Sequence, residues 1–87
     1  MTNFKEFKQI KLYDGIQYLA FFPNLYGVSI VKSEWSYGGK NGLWELAVLT
    51  GDEDEWELTY STPITSNVLG YLTEDEVNEI VDKVIAL

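Results

Sequence analysis

Apolar and polar positions alternate with a period of two along most of the chain, and the period lengthens only near its end. Residues 7–13, Phe-Lys-Gln-Ile-Lys-Leu-Tyr, put Ile10 and Leu12 on one side of an extended strand. Asp14-Gly15 is then a strong hairpin signal that returns residues 16–22 alongside it. Pro23-Asn24 interrupts the ladder, because proline has no N–H to donate. Residues 25–33 form the next strand, with Val28 and Ile30 on one face and Ser29 and Val31 on the other. Residues 43–49 pair with it, setting Leu43, Ala47 and Leu49 against Trp44, Leu46 and Val48. Strands apolar on both sides belong in the middle of a sheet or at an interface. Gly27 reads as a bulge in preference to a close approach by another group. Residues 34–42, with three glycines, an asparagine and two aromatics, are an elaborated hairpin connection, and the core is expected to grow from this hairpin.

After a turn at 51–55, Trp56, Leu58 and Tyr60 alternate with Glu57, Thr59 and Ser61, which predicts a strand with one wet face ended by Thr62-Pro63. Residues 65–67 are expected to cap a short helical turn through Val68, Leu69 and Tyr71, and the polar residues 2–6 are expected to fray. Thr73-Glu-Asp-Glu76 has the form of a capping box, with three acids at the positive end of a helix dipole. Val77, Ile80, Val81, Val84 and Ile85 follow at helical spacing in one stripe. The prediction is an α+β fold. A mainly antiparallel sheet of about five strands carries an amphipathic C-terminal helix packed on one face, in a single domain over residues 1–87.

Composition sharpens this picture in two places. A chain of 87 residues has material for one core and buries only about 60% of its unfolded surface, and without cysteine no disulfide can supplement it. Three Trp, six Tyr and four Phe are more than such a core hides, so some are expected at a surface that meets a partner. With the two-sided central strand, they suggest a homo-oligomer. The longest apolar run, residues 18–22, is far short of the roughly 20 residues of a membrane-spanning helix, and the N-terminus lacks a signal-peptide layout. The expectation is an intracellular protein without membrane contact.

Charge is divided unevenly. Residues 1–40 hold five Lys and three carboxylates (5 − 3 = +2), whereas residues 41–87 hold one Lys and eleven carboxylates (1 − 11 = −10), for −8 in all. The acidic half argues against direct nucleic-acid binding and for steering toward a basic partner.

There is no His, Cys or Arg, which removes the usual nucleophile-base pairs, the common transition-metal ligands and the bidentate phosphate fork. The chain reads as non-enzymatic, without cofactor or metal. Glu34 and Glu45 flank the glycine connection, but two glutamates on neighbouring strands are ordinarily solvated. Asp52-Glu-Asp-Glu55 resembles a calcium loop only in charge, lacking its glycine and distal glutamate, and Gly38-Gly39-Lys40 lacks the Ser or Thr of a phosphate loop. Two contact surfaces remain. In the first, Trp35, Ser36, Tyr37, Gly38, Gly39, Lys40 and Asn41, flanked by Tyr26 and Trp44, offer stacking faces, hydrogen bonds and one cation to a planar, nucleotide-like ligand. Its plainer reading is a connection whose aromatics pack back on the sheet. The second is the acidic set Asp52, Glu53, Asp54, Glu55 and Glu57, facing a basic protein.

Leu25-Tyr-Gly-Val-Ser-Ile-Val31, Ser36-Tyr-Gly-Gly39, Gly42-Leu-Trp-Glu-Leu-Ala-Val-Leu49, Thr62-Pro-Ile-Thr65 and the stretch from Val68 to Glu79 resemble a group of small uncharacterised proteins encoded by tailed bacteriophages and prophages. The resemblance covers roughly residues 20–87. It implies a phage product made in a host bacterial cytoplasm, where small proteins without catalytic residues commonly block a host protein one for one. A virion structural or assembly component is the further alternative.

Overall fold

A computed structural model of the chain describes residues 2–64 and 68–87. Six strands form one sheet: β1 (Lys8–Leu12), β2 (Gly15–Phe21), β3 (Tyr26–Ser33), β4 (Trp44–Gly51), β5 (Trp56–Leu58) and β6 (Leu69–Leu72). Their order is β1-β2-β3-β4-β5, and β6 also lies beside β4, at the opposite end from β5. Every described pairing is antiparallel. The helix α1 (Glu74–Ile85) closes the chain and packs on one face of the sheet, which makes the fold α+β. No helix among the described residues is long and apolar enough to cross a membrane.

Cross-strand partners share a face, so the register sorts the sheet into two sides. Tyr18, Val28, Ile30, Trp44, Leu46 and Val48 face the helix and form the core with Val77, Val81 and Val84. The capping box is present: the Thr73 hydroxyl accepts from the Glu76 amide at 3.3 Å, and the Thr73 amide donates to Glu76 Oε1 at 3.0 Å. Ile80 is half-buried and Ile85, last in the apolar stripe, is exposed.

The N-terminal residues are not frayed. Phe4–Glu6 form a 3-10 turn whose N-cap, Asn3, accepts from the Lys5 amide. Phe4 is fully buried, its ring edge-on to Tyr18 at 5.3 Å and to Trp44 at 5.0 Å. Its amide donates to Asn78 Oδ1 of α1, and Lys5 meets Glu74 at 2.7 Å. That carboxylate raises the Lys5 ammonium above the usual lysine value.

Four further expectations change. Residues 69–72 form a strand and not a helical turn: the outer edge of β4 at Trp44–Leu46 offers backbone partners that a short helix would leave unmet. The expected cap at residues 65–67 lies outside the described residues. The strand after the acidic turn ends at Leu58, three residues earlier than Ser61. Gly27 sits in an unshifted register, and a Cβ there would lie 2.5 Å from the Ala20 carbonyl and 2.7 Å from the Phe21 ring, so the glycine allows a close approach by β2 and no bulge is formed. The first hairpin turns at Tyr13 and Asp14, and Gly15 already pairs with Leu12 and Ser33.

Candidate binding surfaces

The glycine connection is folded in on itself. Ser36 Oγ accepts from the Ser33 amide at 2.9 Å and donates to the Ser33 carbonyl at 3.0 Å. The Gly39 amide donates to the Ser36 carbonyl, and the Asn41 and Leu43 amides both donate to the Gly38 carbonyl. The Tyr37 amide donates to Glu45 Oε1 at 3.1 Å, so of the two glutamates that flank the connection Glu45 is engaged by its backbone. Gly38 has φ +92°, and a Cβ there would lie 2.9 Å from Tyr71 Cα; a Cβ on Gly39 would overlap the Ser33 carbonyl. These glycines let the chain pack against itself and β6, and most amides they expose are already taken.

The nine residues predicted around this connection are not brought together. Trp35, at 82% exposure, Tyr37, Lys40 and Asn41 lie on the surface, while Ser36 and Gly39 are half-buried and Gly38 is buried. Trp44 is only 2% exposed; Phe4 and Tyr18 flank its ring and the Lys32 ammonium lies 4.6 Å from it. It presents no free face to a ligand. Tyr26 pairs with Thr50 at the far end of β3, about 23 Å along the strand, at about 3.3 Å per residue, from Ser33 where the connection begins.

The acidic set is brought together. Gly51 has φ +121°, and a Cβ there would overlap the Glu55 carbonyl, so the turn begins on a residue without a side chain. Asp52 Oδ1 then accepts from the Asp54 and Glu55 amides, both at 3.0 Å, and the Asp52 amide donates to the Glu55 carbonyl. Asp52, Glu53, Asp54, Glu55 and Glu57 are all exposed. An open cleft of about 420 Å³ runs between Thr50, Gly51, Glu55, Trp56 and Glu57. Glu53 reaches Lys8 at 3.5 Å, and the Trp56 ring stands 6.2 Å from that of Phe21. These contacts join the β4–β5 end to β1 and β2 across the intervening strands, so the sheet is coiled at this end.

Sequence reasoning passed over three features. Tyr13 stands fully in solvent at the first hairpin tip. Tyr71 holds φ +56°, unusual for a bulky residue, where the β4–β6 register shifts, and its ring is exposed. Asn24 Nδ2 donates to the Val84 carbonyl at 2.9 Å and to the Ile85 and Leu87 carbonyls, tying the β2–β3 turn to the end of the helix. Only Asn24 carried a sequence signal, as an Asx turn residue after proline. Compared with protein-family models, curated proteins and solved structures, the chain matches none.

Proposed function

We propose that this chain is a non-enzymatic binding protein that blocks a basic surface of a host protein one for one, in a bacteriophage setting and in the host cytoplasm. The observation that carries the reading is the β4–β5 end: five exposed carboxylates gathered within six residues around the half-exposed Trp56, with Lys8 the cation set against one of them. An aromatic anchor beside like charges suits a partner that presents Lys or Arg around an apolar contact, and long-range attraction speeds the encounter. The absence of His, Cys and Arg from the composition favours occupancy over turnover. The phage setting rests on the resemblance of residues 20–87 alone.

The nucleotide-like alternative has less support, since the connection at 35–44 spends its amides internally and buries Trp44. Capture of a bacterial protein by the tagged chain should weaken steeply as salt rises, and Asp54→Lys/Glu55→Lys/Glu57→Lys should abolish it. Capture indifferent to both would overturn the proposal.

A further inference from the structure

Three of the described asparagines have side chains held in place. Asn3 Oδ1 accepts from the Lys5 amide, Asn78 Oδ1 accepts from the Phe4 amide, and Asn24 donates to three helix-end carbonyls while accepting from the Tyr26 amide. Asn41 differs. It is exposed, and its side chain makes no hydrogen bond among the described residues. The residues that follow the other three are Phe4, Leu25 and Glu79, whereas Asn41 is followed by Gly42. A Cβ on Gly42 would meet nothing within 4 Å, so the space beside its backbone is open, and its φ of +75° is one that glycine adopts freely. The chain holds one comparable dipeptide, Asp14-Gly15, and the fold closes it: Gly15 is paired in the ladder with both Leu12 and Ser33, and a Cβ on it would overlap the Lys32 carbonyl.

We infer that Asn41 is a self-modification site, at which the chain converts its own carboxamide to a carboxylate. The Gly42 nitrogen attacks Asn41 Cγ; a Cγ–N bond forms, the Cγ–Nδ2 bond breaks, and ammonia leaves with the proton of the Gly42 amide. Water, the one co-reactant, then opens the cyclic imide at either carbonyl. Opening at Cγ leaves aspartate, and opening at the main-chain carbonyl leaves isoaspartate, with the backbone rerouted through the side chain. No atom is oxidised or reduced. The Gly42 amide donates to the Gly39 carbonyl at 3.0 Å, so attack waits for the Gly39–Asn41 turn to open, and that turn contains no buried residue. At Asn3, by contrast, the attacking nitrogen would be that of the fully buried Phe4, which is bonded to the helix. Either product adds one negative charge beside Lys40 (−8 − 1 = −9), and isoaspartate adds a methylene to the main chain where the Asn41 and Leu43 amides converge on the Gly38 carbonyl. The glycine connection therefore ages in charge and in length. This inference is independent of the proposed host partner, because the acidic surface at 52–57 takes no part in it.

Incubation of the intact folded chain near neutral pH, followed by cleavage after glutamate and mass spectrometry of the peptide from Trp35 to Glu45, tests it. That peptide should gain the mass of an amide-to-acid exchange, take up heavy oxygen when the incubation is in heavy-oxygen water, and separate into aspartate and isoaspartate forms. Local opening of an exposed turn is far less costly than opening of the tied sites, so the rate should exceed that at Asn3, Asn24 or Asn78 by at least about tenfold. Asn41→Gln, whose longer side chain closes a less favourable ring, should leave the peptide unchanged over the same period with an unaltered circular dichroism spectrum. Asn41 intact in the folded chain after the guanidinium-unfolded chain has converted, or converting no faster than the other three, would overturn the inference.

Discussion

Phe4 is a lone apolar side chain in a polar segment, and the core depends on it. Its ring fills the gap between Tyr18, Trp44 and the helix, while Asn78 takes its amide. Phe4→Ala should therefore cost about 3–5 kcal/mol, the usual penalty for emptying a buried aromatic site. For a domain of this size that is a large share of a total of about 5–15 kcal/mol. Urea unfolding should show a much lower midpoint, whereas a frayed terminus would tolerate the change with almost none. The role of Phe4 was not legible in the sequence because one buried residue sets no period, and the partner that fixes it lies 74 positions away. Trp44 shows the same limit from the other side: an aromatic next to glycines looks available, yet its strand parity turns it into the core.

At the scale of elements, the periodic stretches were readable and the short ones were not. β2, β3, β4 and α1 each carry enough apolar repeats for the pattern to place them, and the Thr73–Glu76 signature located the helix start. β6 has four residues and a register shift, so its state is decided by the open edge of β4 and not by its own sequence. The two ends of α1 are held by different means, which separates their mutants. Thr73→Ala removes the N-cap and should lower stability by about 1 kcal/mol. Asn24→Ala removes donors from the Val84, Ile85 and Leu87 carbonyls. It should release amide protection in the last turn of the helix while leaving the first turn protected, as read by hydrogen exchange.

For the whole molecule, coiling of the sheet closes the side opposite the helix over Leu49, which is fully buried there. The helix covers one face, the opposite face is almost uncharged, and the acids gather at the β4–β5 end, where coiling brings Lys8 and Phe21 to Glu53 and Trp56. The acidic surface could be read from the chain because it is contiguous in sequence; the burial of Leu49, Ser29 and Ala47 opposite the helix could not, because the side chains around them come from four strands whose register decides which share a face. One variant tests the acidic surface at this scale. Asp54→Lys/Glu55→Lys/Glu57→Lys changes the net charge by +6, from −8 to −2. Coulombic attraction to a basic partner scales with the charge of the chain, so it should fall about fourfold, as −8 becomes −2. Capture of the proposed basic partner should then be lost at low salt, with the circular dichroism spectrum unchanged. A folded variant that still captures its partner with a steep salt dependence would show that the attraction arises elsewhere on the molecule.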